Sequence, residues 1–117
     1  MDEPFRIDIE SLPDFQIVRL EGDLDLSSTP AAKSRLTTAL EKGSHRVLVD
    51  TSRLGHVDTT GLGLLVWLRK RLSEGKGMLC LVGTTSNFQR LLELTGLASI
   101  FTVCKTMEEA KEAVAGE

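Results

Sequence analysis

Two neighbouring threonines stand where a hydroxyl group could hold or carry a phosphate. Asp58, Thr59 and Thr60 come directly before Gly61 and a run of leucines at helical spacing. That stripe comprises Leu62, Leu65, Leu68 and Leu72. Acids and threonines are frequent helix caps, and the N–H groups that start a helix have no partner within it. Because the positive end of the helix dipole lies at the same point, the site is predicted to favour an anion. From the residues alone, either threonine could equally be only a helix cap.

A short buried strand and a polar loop lead into this helix. Val47, Leu48 and Val49 form an apolar run that ends at Asp50, as central strands of α/β sheets do. The mostly polar residues 51–57 are predicted to be a loop. The hydroxyl groups are therefore predicted to follow this loop, at the start of the helix.

The remaining chain alternates between strand and helix patterns. Strands are predicted at Phe5–Glu10, Phe15–Glu21, Met78–Val82 and Ile100–Val103. Helices are predicted from Pro30 to about Lys42, after residues 84–87 with Phe88, Leu91, Leu92 and Leu94 as the buried stripe, and after Thr106. This order predicts an α/β fold with a mixed sheet of four to five strands, a parallel core and an antiparallel N-terminal edge. Four to five helices surround the sheet, and residues 1–117 form a single domain.

Composition excludes several classes of function. The net charge is −3 and the pI is near 5.4, so the chain would repel the phosphates of a nucleic acid. No apolar run is long enough to span a membrane and no leader pattern is present, which predicts a cytoplasmic protein without direct membrane contact. Cys80 and Cys104 stand alone in apolar strand patterns without C-x-x-C spacing, and are predicted to be reduced core residues.

The motifs that would indicate an enzyme or a cofactor are incomplete. The pair Gly61 and Gly63 lacks the third glycine of a dinucleotide fingerprint, because Val66 stands in its place. His45 and His56 share no metal-ligand spacing, and His56 has no evident partner to orient it as a base for Thr60. We therefore predict no cofactor, no metal and no catalytic activity.

The segment D-T-S-R-L-G-H-V-D-T-T-G-L-G-L-L closely resembles the signature of STAS domains, specifically of bacterial anti-sigma factor antagonists. Three other segments agree with that family: Gly22–Asp25 after the second strand, the turn Gly75–Gly77 before an apolar strand, and Leu91–Leu97 preceded by Arg90. The resemblance covers essentially the whole chain.

The resemblance implies a regulatory binding protein. Its partner would be an anti-sigma factor of the GHKL-ATPase type, which is also a serine/threonine kinase, and binding would release the sigma factor. The kinase would phosphorylate the hydroxyl residue before Gly-Leu-Gly, which is Thr60 here, with Thr59 as second choice. A PP2C-type phosphatase would reverse the reaction, and the protein would be a monomer or a weak dimer. The alternative is a STAS component of a lipid-transport complex or of a stressosome-like scaffold.

The same resemblance suggests the surface that binds the partner. The predicted partner-binding residues are Asp25, Asp58, Thr59, Gly61, Leu64 and Trp67. Purely structural roles remain open for several of them. Asp58 could cap the helix or orient the acceptor hydroxyl, and Asp25 could be an acidic loop residue without a role in binding. Leu64 and Trp67 lie off the main leucine stripe and could be packed in the core or anchor an interface.

Overall fold

The computed structural model describes residues 4–115 and contains five strands and four helices in one α/β unit. The strands are β1 (Arg6–Ser11), β2 (Gln16–Leu24), β3 (Arg46–Val57), β4 (Met78–Val82) and β5 (Thr102–Cys104). The helices are α1 (Thr29–Lys42), α2 (Thr59–Glu74), α3 (Ser86–Leu94) and α4 (Met107–Ala115). The predicted fold class is confirmed.

The strands lie in the sheet in the order in which they occur in the chain. β1 pairs with β2 in the antiparallel direction, and β2, β3, β4 and β5 are mutually parallel. Short antiparallel strands can be joined by a tight turn, whereas each parallel pair needs a crossover, which a helix supplies here. The predicted antiparallel N-terminal edge and parallel core are both confirmed.

Alternate residues of the central strands supply two separate apolar layers. Val47 and Val49 of β3 belong to the large core that α1, α2 and α3 cover. Leu48 between them faces the other side, in a smaller core that α4 covers. Successive side chains of a strand point to opposite faces, so a continuous apolar run is the pattern expected when both faces are buried. Leu48 is completely buried, which stabilises the fold by about 1.5–3 kcal/mol.

The loop predicted for residues 51–57 is wrong, because β3 continues to Val57. In this second half the strand pairs only with β2, through Arg53, Leu54 and Val57. Register shifts in the pairing break the regular alternation, and the outward-facing positions are polar. The segment therefore has the composition of a loop although it is a strand. The extension carries the chain past the end of β4 to the start of α2.

Two further expectations need correction. Leu94 was predicted to lie in the buried stripe of α3, but it is the last residue of that helix and is 74% exposed. The last strand begins two residues later than predicted, at Thr102, because residues 98–100 form a turn. Within residues 4–115, no helix has both the length and the apolar character required to cross a bilayer.

Candidate functional site

Asp58 fixes the start of α2. Its backbone is extended, and its side-chain Oδ1 accepts a hydrogen bond of 2.9 Å from the N–H of Gly61. Its carbonyl oxygen accepts another from the N–H of Leu62, also at 2.9 Å. Thr59 and Thr60 are the first two residues of the helix, as predicted. Their N–H groups have no carbonyl one turn earlier within the helix, so they are available to an anion placed at the helix start.

The same aspartate also holds the loop between β2 and α1. Its second oxygen, Oδ2, accepts a hydrogen bond of 3.1 Å from the N–H of Leu26. The backbone N–H of Asp58 donates to the carbonyl of Leu24 at 3.2 Å. One carboxylate therefore caps α2 and positions the neighbouring loop. The cap is one of the two predicted roles of Asp58, and the other, orienting the acceptor hydroxyl, stays a prediction.

Asp25 organises the loop from within. Its Oδ1 accepts hydrogen bonds from the Ser27 hydroxyl at 2.8 Å, the Ser27 N–H at 3.0 Å and the Ser28 N–H at 3.2 Å. The bond from the Ser27 hydroxyl is the main reason why the pKa of Asp25 lies below its usual value. Asp25 is therefore an anion at neutral pH and is engaged by the turn that it stabilises.

The loop and the helix start together present one exposed surface, which we call the capping surface and define as Leu26, Ser27, Thr59, Thr60 and Gly63. Leu26, Ser27, Thr59 and Gly63 are exposed, and Thr60 is half-buried. The hydroxyl-bearing residues thus lie beside an apolar side chain and a helix N-terminus, and an aspartate holds these parts together.

The sequence analysis did not predict three residues of this surface, Leu26, Ser27 and Gly63, and Leu26 is the apolar side chain among them. It is 71% exposed. Its backbone is held by Asp58, so the side chain is presented from a fixed position. A single leucine among turn-forming acids and serines was the available signal, because such a loop gives an apolar side chain no core to enter.

Two of the predicted partner-binding residues belong to the core, which corrects those predictions. Leu64 is 3% exposed and packs with the residues of the large core, so it offers almost no surface. Gly61 is buried against the backbone of Leu24, and its part is to let α2 approach β2 closely. Both lie on the inward side of α2 because that helix is apolar over most of its circumference.

Trp67 is half-buried, and two cations lie over its ring. The Lys33 ammonium is 4.9 Å from the ring centroid and the Arg71 guanidinium is 5.6 Å from it. These distances are within the range of cation–π attraction. The indole therefore joins α1 to α2 and shares the outward side of α2 with the capping surface.

The site contains no recognisable catalytic apparatus in residues 4–115. No group of three histidine, cysteine or acidic residues in this range is arranged to hold a metal ion. His56 lies in β3 and is exposed, and its backbone N–H donates to Asp23 Oδ1 at 2.8 Å. The start of α2, with Thr59 and Thr60 in its first turn, is suited to holding an anion.

Replacing Asp58 tests the two bonds of its carboxylate. We expect Asp58→Ala to lower the free energy of unfolding by about 1 kcal/mol, through loss of the helix cap. Asp58→Asn keeps one oxygen for Gly61 but offers an NH2 group to Leu26, so it should cost less than alanine and still free the loop. Urea denaturation measures the first effect, and amide hydrogen exchange at Leu26 measures the second. Unchanged stability and unchanged exchange in Asp58→Ala would contradict this assignment.

Comparison with known proteins gives a consistent family. The family model for the STAS domain matches residues 6–110. An anti-sigma-B factor antagonist of Staphylococcus epidermidis is 32% identical over 90 residues, which are 77% of this chain and 83% of that protein. The crystal structure of an anti-sigma factor antagonist from Mycobacterium paratuberculosis is similar with a TM-score of 0.85 and 21% identity, and the match covers 96% of this chain and 95% of that one. The Bacillus cell fate determinant SpoIIAA in its phosphorylated form is similar with a TM-score of 0.72 and 21% identity, over 95% of this chain and 99% of that one.

Proposed function

Because the chain belongs to the STAS domain family, we propose that it is an anti-sigma factor antagonist, a regulatory binding protein that is not an enzyme. The 32% identity to the staphylococcal antagonist supports this function, since that match extends over most of both chains. The protein binds an anti-sigma factor and thereby releases the sigma factor that the anti-sigma factor held.

The partner is a GHKL-type anti-sigma factor that also phosphorylates this chain at Thr60. The observation that carries this part of the proposal is the place of Thr60, which is half-exposed in the first turn of α2 beside the capping aspartate. One of the similar structures is SpoIIAA in its phosphorylated form, so this fold is known in a protein that carries a phosphate. Thr59 is the second candidate, since it is exposed and precedes Thr60. A PP2C-type phosphatase restores the unmodified protein.

Phosphorylation acts on the interface and leaves the fold intact. A phosphate on Thr60 adds about 1.5–2 negative charges and three acceptor oxygens. The helix dipole and the N–H groups at the start of α2 tolerate that charge. A partner that closes over the capping surface must instead remove the water around the phosphate. The same partner also faces Asp25 and Asp58, which are further negative groups near the site. The phosphate therefore weakens association.

Leu26 is the apolar contact of this interface. Exposed leucine and aromatic side chains gain most when a partner excludes water from them, at about 25 cal/mol for each Å² of apolar area that is buried. Leu26 adjoins Asp58 and is held by it, so a partner that covers Thr60 also covers this side chain. Trp67 lies further along the same helix and extends the contact.

Capture from a native lysate tests the function. Immobilised wild-type chain is expected to retain an ATPase of the GHKL type, and adding the free chain to a purified complex of that ATPase with its sigma factor is expected to release the sigma factor. Leu26→Ser should lower the affinity for the ATPase about tenfold. Leu94→Ser is the matched control, because Leu94 is equally exposed, at 74% against 71%, but ends α3. Retention of transporter or scaffold subunits, with no ATPase, would contradict the proposal.

A further inference from the structure

The two cysteines, which the sequence suggested were isolated, lie side by side in the fold. Cys80 is in β4 and Cys104 ends β5, 24 positions later in the chain, and their sulfur atoms are 2.9 Å apart. Cys80 pairs with Thr102 and Val82 pairs with Cys104, so both thiols project from the same face of the sheet. A disulfide bond is about 2.04 Å long, so closing it would need the sulfurs to approach by about 0.9 Å.

The surroundings give the two thiols different reactivities. Cys80 is completely buried beneath α4, among Leu48, Val82, Ala110 and Val114. The pKa of Cys80 is raised to about 12. Burial is the main cause, and the contact with Cys104 is the second. Cys104 is partly exposed at the rim of the same cluster. An oxidant from solution therefore reaches Cys104 first. Cys80 stays protonated at neutral pH, and its sulfur is placed by distance alone, 2.9 Å away, to attack the product as it loses its proton.

We propose that Cys80 and Cys104 form a reversible dithiol–disulfide pair that responds to peroxides. The Cys104 thiolate attacks one oxygen of hydrogen peroxide, which breaks the O–O bond and gives a sulfenic acid and, after protonation of the leaving oxygen, water. The Cys80 sulfur, losing its proton, then attacks the Cys104 sulfur and displaces hydroxide, which takes up a proton to leave as a second water. In total two thiols are oxidised to one disulfide while one peroxide is reduced to two waters.

The fold determines what such a bond would do. Within residues 4–115, β5 is an edge strand of three residues that pairs only with β4, so few backbone hydrogen bonds of the sheet hold it. A bond between Cys80 and Cys104 would tie this strand and the start of α4 to the centre of the sheet. It would also close a loop that contains α3, which restricts the unfolded chain. The oxidised protein is therefore expected to melt at a higher temperature than the reduced protein.

Mass spectrometry tests the pair in the folded full-length chain. After hydrogen peroxide treatment in native buffer, followed by alkylation in denaturant, we expect a loss of about 2 Da and no alkylation at either cysteine. Dithiothreitol should restore both alkylation sites, and non-reducing peptide mapping should link the peptides that contain Cys80 and Cys104. A higher Tm for the oxidised protein is the second expected result.

Single cysteine substitutions test the order in which Cys104 and Cys80 react. Cys104→Ser leaves only the buried thiol, and its alkylation in denaturant should be unaffected by the peroxide. Cys80→Ala leaves the rim thiol without its neighbour, so it should stop at the sulfenic acid or oxidise further. If the wild-type chain instead accumulates oxidised Cys104 or intermolecular dimers while Cys80 stays fully alkylatable, the proposal is overturned. A lower Tm after oxidation would also overturn it, because the fold would then oppose the bond.

Discussion

Phosphorylation of Thr60 is expected to weaken binding to the proposed anti-sigma factor kinase by more than about a hundredfold while the fold remains intact. A negative group near a helix N-terminus stabilises the helix by about 0.3–1 kcal/mol, so the free protein should not lose stability. In a closed interface the phosphate loses its hydrating water and has no positively charged group placed to pair with it. A penalty of about 3 kcal/mol suffices for a hundredfold loss of affinity.

Thr60→Asp carries less charge than phosphothreonine, so its effect on affinity should have the same sign and be smaller. Thr60→Ala should keep the affinity of the unmodified protein and abolish phosphate transfer from ATP. Calorimetric titration against the purified kinase and thermal melts of each variant measure the two effects separately. Thr59→Asp tests the second candidate position, because Thr59 is exposed on the same capping surface, and a charge there is also expected to weaken binding. Equal affinities for wild type, Thr60→Asp and the phosphoprotein would show that Thr60 is only part of a helix start.

Gly61→Ala is expected to destabilise the protein by about 1–3 kcal/mol, the range for overpacking a closely packed site. A Cβ at this position would collide with the carbonyl oxygen of Leu24 and crowd its side chain. Backbone cannot move aside as the end of a flexible side chain can, so α2 would have to shift away from β2. Such a shift would also strain the two hydrogen bonds of Asp58, and partner binding should fall together with stability.

Gly63→Ala provides the matched control two residues later in the same helix. No atom lies within 4 Å of the Cβ that this substitution adds, so alanine meets no clash. Because glycine is a poor helix former, the change should raise the free energy of unfolding by about 0.5–1 kcal/mol. Urea denaturation of both variants gives the comparison. Similar stabilities for Gly61→Ala and Gly63→Ala would refute the close approach of α2 to β2.

Those features that depend on local pattern were predictable from the sequence. The runs Val47–Val49 and Met78–Val82 are apolar throughout. Both lie in strands that have a neighbouring strand on each side in the sheet. Asp58 is a capping residue in front of an apolar periodic segment, and it caps α2 as the pattern indicates. In these places the local preference and the tertiary structure favour the same conformation.

The remaining features depend on contacts between distant segments. Residues 51–57 are a strand only because β2 is long enough to pair with them, which the composition of the segment does not reveal. Leu64 is buried because the inward side of α2 is wider than one leucine stripe. The fixed position of Leu26 requires a hydrogen bond to Asp58, 32 positions later, and no local pattern encodes that bond.

The order of strands in the sheet also bears on how the chain folds. Each strand pairs with the next strand in the sequence, so no pairing joins elements that are separated by another strand. Each loop that must close is therefore limited to one crossover, and the entropy lost on closure grows with loop length. Parallel pairing is slow to form in general, and the sequential strand order keeps the separation between paired strands smaller than a shuffled order would. During synthesis, every new strand–helix segment can add to a sheet edge that already exists, and β5, the shortest strand, is the last to be added.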